Sequence, residues 1–195
     1  MVFTTPAFAN SKQWLRYGWL GLMLLFAQPV AAASFHISNV DLHLHEGVYL
    51  LDADIYYGFS DEALDALHNG VPLTIMIDIQ IERPRRWLWN VGMASLQQEL
   101  RLHYHALSEQ YVVQNLNSGA LHSYHSRGVA LSALGRLRDF PLIDKQLLAP
   151  EEEFLLRMQA RLNIEALPQP LRPIAYTTPA WRQLKSDWYQ WPFTP

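Results

Sequence analysis

The sequence predicts a mainly β (α+β) protein: an antiparallel sandwich or strongly curved sheet of about six strands, with one or two helices covering its open face. Three observations lead there. Apolar and polar residues alternate with period two through successive stretches, each bounded by Gly, Pro, Asn or Ser. Each stretch is apolar on one side only, the pattern of antiparallel strands with one solvated face. Helix-period segments are short, and no internal repeat or long linker divides the chain, so the helices serve as cover for a sheet.

Residues 1–33 are set apart first. Lys12 and Arg16 precede the apolar run YGWLGLMLLFA, and QPV then leads into Ala31-Ala32-Ala33 before Ser34. A basic start, a short apolar run and small residues are the order of a secretory signal peptide, with cleavage expected after Ala33. Residues 34–195 then form a single β-rich domain with an aromatic, proline-rich C-terminal segment. The alternative is an inner-membrane anchor over residues 17–33, which Gln28 and Pro29 interrupt before it reaches the ~20 apolar residues of a spanning helix. The chain has no cysteine, which excludes lipoprotein attachment and disulfides and suits a bacterial periplasm. Lys+Arg number 15 against 18 Asp+Glu; removing Lys12 and Arg16 leaves 13 against 18. A mildly acidic mature chain argues against nucleic acid or an anionic membrane as main partner, leaving membrane contact to an uncleaved N-terminus.

The first hairpin runs from Val40. Val40, Leu42 and Leu44 alternate with Asp41, His43 and His45, and after Glu46-Gly47 the residues Tyr49, Leu51, Ala53 and Ile55 alternate with Leu50, Asp52 and Asp54. A two-residue turn at Glu46-Gly47 sets Leu44 opposite Tyr49, Leu42 opposite Leu51 and Asp41 opposite Asp52, keeping the best apolar residues together. A three-residue turn with Gly47 in a bulge is the alternative. Ser60 caps a helix, DEALDALHNG, which Asn69-Gly70 ends. Leu73, Ile75, Ile77, Ile79 and Ile81 mark the cleanest strand. Leu100, Leu102 and Tyr104 mark another, and YVVQNL returns beside it. A second helix is expected over Ser126–Asp139, and a last strand over Phe154–Ile164.

The ordered motifs GVPLTIMIDIQIERPRRWLW, LHYHALSEQYVV, ALSALGRLRDFPL, RLNIEALPQPLRP and SDWYQWPF, behind a signal peptide, resemble the proteobacterial family called domain of unknown function 4390. The resemblance covers essentially the whole mature chain. It implies an exported envelope protein of unassigned activity, and it brings no catalytic or binding residues with it. Members are often encoded beside a sensor histidine kinase, which implies a signalling partner.

Two surfaces are candidate sites. RPRRWLWN closes the strongest strand: Pro84 stops the ladder, and Arg83, Arg85 and Arg86 lead into Trp87 and Trp89. Arginine and tryptophan dominate contact energies, so these five residues are read as a partner-binding patch. The competing reading has the tryptophans capping the core while the arginines pair with Glu82 or nearby aspartates.

The hairpin's polar face gathers Asp41, His43, His45, Asp52 and Asp54. Opposed carboxylates need something positive: a protonated histidine, an arginine from elsewhere, or a divalent metal such as zinc. Asp41, His43, His45 and Asp52 are therefore candidate metal ligands, against a plain solvated strand face. His103 and His105 form a second such pair, and four imidazoles would converge if the two strands were neighbours. The spacing of Trp188 and Trp191 fits a helical turn packed on the sheet edge. No G-x-S-x-G elbow, P-loop, dinucleotide fingerprint or thiol is present.

These features together predict an exported, non-catalytic periplasmic binding protein, with an envelope sensor kinase among its expected partners and no cofactor. The alternatives are a metal-binding protein or metal-dependent enzyme using Asp41, His43 and Asp52, and a carrier of a hydrophobic ligand within a curved sheet.

Overall fold

Glu46 and Gly47 decide the first hairpin. In the computed structural model, which describes residues 34–195 and so leaves the expected signal peptide outside, both have positive φ, 48° and 85°. Two consecutive positive φ values make the tight turn whose twist suits a hairpin. It joins β1 (Phe35–His45) to β2 (Val48–Tyr57) in the expected register, Leu44 opposite Tyr49 and Asp41 opposite Asp52. A bulge at Asn39, also at positive φ (48°), realigns the pair so that β1 continues back to Phe35.

Ser60 caps α1 (Asp61–His68), its hydroxyl accepting from the Ala63 N–H. β3 (Leu73–Arg83) then pairs with β4 (Val91–His105) on one side and β8 (Phe154–Leu162) on the other. β5 (Gln110–Asn115) and β6 (Leu121–Tyr124) extend the sheet from β4, and β9 (Tyr189–Phe193) extends it from β8. The result is a six-stranded antiparallel sheet in the order β6-β5-β4-β3-β8-β9. A second sheet has the order β1-β2-β7, where β7 is Arg136–Asp144.

Among the described residues there are thus nine strands, three more than the alternation alone outlined. The expected helix over Ser126–Asp139 divides: α2 spans only Arg127–Leu134, and the chain turns at Gly135 into β7. Gly135 is required there because a Cβ would stand 2.0 Å from the carbonyl oxygen of Ile55. Its own carbonyl accepts the Ile55 N–H at 2.8 Å, which joins β7 to β2. The last expected strand ends at Leu162, and two short helices, α3 (Arg172–Thr177) and α4 (Pro179–Arg182), follow it.

The inner faces of the two sheets meet in one continuous cluster. Ile75, Ile77, Ile79 and Ile81 of β3 and Leu156, Met158 and Ala160 of β8 are wholly buried, as are Leu51 and Ala53 of β2. Packing of this kind sets two sheets face to face and leaves their outer faces polar. On the outer face of the larger sheet, Asp78 pairs with Arg161 at 2.8 Å and Glu82 with Arg157 at 3.0 Å.

Candidate functional site

The β3–β4 ladder closes at Arg83 opposite Val91, and Pro84 cannot carry it further. The seven residues Pro84–Asn90 therefore leave the sheet as a loop, all of them exposed. Its stem is braced. The Asn90 side-chain amide donates to Glu82 at 2.8 Å, and Arg157 holds the other carboxylate oxygen at 3.0 Å. The hydrogen bond from Asn90, aided by Arg157 and opposed by burial, holds the Glu82 carboxyl below the usual carboxylate range. Arg83 pairs with Glu152, on the connection between β7 and β8, at 3.2 Å.

Beyond the stem, the loop projects. Trp87 is 91% exposed, Leu88 67% and Trp89 93%. Neither tryptophan caps the core. Among the described residues Arg85 and Arg86 make no ion pair, so of the three arginines only Arg83 is tied into the body. Glu82 is bound to Arg157 and Asn90, not to the loop's arginines. Leu88 was not singled out from the sequence, although its place between the two tryptophans marked it.

On the hairpin, Asp41 and Asp52 are directly opposed, as the register required. The positive partner comes from β7. Arg138 pairs with Asp54 and also donates to the Ala53 carbonyl at 2.8 Å. The hydrogen bonds from Arg138 and then Asn39 hold the Asp54 carboxyl below its ordinary range. Asp52 accepts the backbone N–H of Asp139 at 2.8 Å, and His43 Nε2 lies 3.4 Å from the Asp139 carboxylate. Among the described residues no three histidine, aspartate or glutamate side chains are gathered closely enough to hold a metal ion.

The two His-x-His strands are not neighbours. His43 and His45 lie on β1 of the smaller sheet, His103 and His105 on β4 of the larger, so the four imidazoles do not converge. His105 Nδ1 lies 3.1 Å from the Ser108 hydroxyl, and the His103 and His105 ring centroids are 6.2 Å apart.

The C-terminal aromatics form a strand, correcting the helical spacing. Tyr189, Trp191 and Phe193 alternate inward along β9 against the core, while the Arg157 guanidinium lies 4.7 Å over the Trp188 ring. β9 continues the ladder from β8 as the sheet's last strand while its rings pack against the core.

Fold and site together define a two-sheet antiparallel domain that presents an arginine–tryptophan loop at one end. The sequence matches the family described as Domain of unknown function (DUF4390) over residues 32–192, and the chain belongs to that family. No curated protein and no solved structure matches it. Among the described residues no helix is long and apolar enough to cross a membrane.

Proposed function

We propose that this chain is an exported, non-catalytic binding module of the bacterial periplasm, and that its β3–β4 loop is the surface that meets another envelope component. The observation that carries the reading is the exposure of Trp87 and Trp89, 91% and 93%. Leaving two indoles in water is costly, and burying them on contact is where binding energy concentrates. The braced stem adds to this, since Glu82–Asn90 and Arg83–Glu152 fix the two ends of the loop and so reduce the freedom lost on binding.

The sensor region of a membrane kinase is one such component, and the signal-peptide reading of residues 1–33 supplies the location. The test is co-purification of the untagged chain with envelope proteins, beside Trp87→Ala and Arg86→Ala. Loss of a specific envelope component with both substitutions is the expected result. Unchanged recovery of every component would remove the reading.

A further inference from the structure

We propose that the loop is a lipid-facing anchor: Trp87, Leu88 and Trp89 enter the interfacial layer of a bilayer while Arg85 and Arg86 stay at the level of the phosphates. This rests on reading the loop as the contact surface, and it names the surface that is met.

Shape argues for lipid first. A stable protein interface takes about 20–30 residues and ~800 Å² from each side, with an apolar centre inside a polar rim. Here three consecutive apolar side chains, Trp87, Leu88 and Trp89, stand exposed within a loop of only seven residues, far fewer than such an interface takes. A bilayer asks for no rim, because its interface yields around an inserted tip. The composition fits the same depth order. Tryptophan prefers the boundary between headgroups and chains, leucine the layer beneath it, and arginine the phosphates, which its guanidinium binds in a fork.

Neighbouring segments add to the same end. The Lys145 N–H donates to the Gly47 carbonyl at 2.8 Å, so the β1–β2 turn and the β7–β8 connection lie together, and Arg83–Glu152 joins that connection to the loop stem. This end also exposes Leu147 (65%) and Leu44 (45%). Its charges are mixed: Glu46, Glu151 and Glu153 are exposed there alongside Arg85, Arg86 and Lys145. Insertion is therefore driven by apolar burial, with little help from attraction to anionic lipid. It persists on zwitterionic vesicles and resists salt.

The absence of cysteine makes the test clean, since one introduced thiol is a unique label. The full-length coding sequence is expressed and the chain purified as the cell processes it. Leu88→Cys carries an environment-sensitive fluorophore. Leu107→Cys, 95% exposed in the turn at the far end of β4, carries the same label as the control. Each is titrated with phosphatidylcholine vesicles, with and without phosphatidylglycerol.

A blue shift and intensity rise at Leu88→Cys on both vesicle types, with Leu107→Cys unchanged, is expected. Trp87→Ala/Trp89→Ala cuts vesicle partitioning at least about tenfold while its circular dichroism stays native. No shift at Leu88→Cys, equal shifts at both labels, or binding that needs phosphatidylglycerol and disappears with salt would overturn the proposal. If vesicles fail but the loop substitutions still release an envelope protein, lipid insertion falls and the contact-loop reading stands. If neither vesicles nor proteins respond, both fall.

Discussion

Replacing Trp87 and Trp89 together by alanine separates contact from folding. With 91% and 93% of their surfaces open, less than a tenth of each residue is covered. For an indole side chain of up to ~250 Å² that is about 20 Å², worth about 0.5 kcal/mol at ~25 cal/mol per Å². The double variant should therefore lose about 1 kcal/mol at most. Phe154, which is wholly buried, would by contrast cost about 3–5 kcal/mol on truncation to alanine. Urea denaturation followed by circular dichroism resolves the two scales. With m of ~2 kcal/mol/M, the tryptophan variant should shift the midpoint by no more than about 0.5 M, with m unchanged. A loss of about 3 kcal/mol or more would show that the indoles pack against the body in solution. The argument for a contact loop would then lose its basis.

Further outcomes probe the fold itself. Gly135→Ala places a Cβ 2.0 Å from the Ile55 carbonyl oxygen, a backbone atom that cannot turn aside, so we expect about 2–3 kcal/mol of destabilisation in the same urea assay. Gly92→Ala meets nothing within 4 Å and should stay within about 0.5 kcal/mol. The pH dependence follows from Asp54 and Glu82, whose folded-state pKa values lie below their ordinary 3.8 and 4.5. A carboxylate depressed by folding contributes stability that is present above its unfolded pKa and lost as pH falls through the folded one. The chain should therefore weaken on acidification below the 3.8–4.5 range, and Asp54→Asn should weaken less steeply than the parent. Equal pH slopes in midpoint measurements would show that the Arg138 pair contributes nothing.

Much of the fold was legible because burial imposes period two on a strand with one wet face. β3 has every second residue from Leu73 to Ile81 in the core, and the hairpin register followed from keeping Leu42, Leu44, Tyr49 and Leu51 together. The segments that the alternation missed are those where that pressure is weak. The first nine residues of β4, Val91–Glu99, pair with β3 alone, and Gly92, Ala94 and Ser95 show little alternation there. In β7 a register shift at Arg138–Asp139, with Asp139 at φ 50°, breaks the period, and Leu134 and Leu137 then mimic a helical face. Gly135 was the signal that the helix stops. Misreading β7 hid Arg138, and with it the cation that the hairpin's carboxylates were expected to need. The loop was legible as a motif, but its exposure was not, since nothing in RPRRWLWN says whether the indoles turn back onto the core.

The direction of β1 sets where the described fold begins relative to the loop. Phe35 donates its N–H to Lys185 at 3.3 Å, and Lys185 bridges Arg161, whereas the loop stem at Glu82 lies opposite Leu155, at the other end of β8. The strand's last residues lead instead into the Glu46–Gly47 turn, on the loop's side. The 11 residues of β1, at ~3.3 Å each, span about 36 Å. Phe35 and the loop therefore lie at opposite ends of the folded domain. N-terminal sequencing of the chain from periplasmic and membrane fractions tests the expected cleavage after Ala33. Ser34 as the first residue is expected. A chain that begins before residue 17 and stays with the inner membrane would remove the signal-peptide reading.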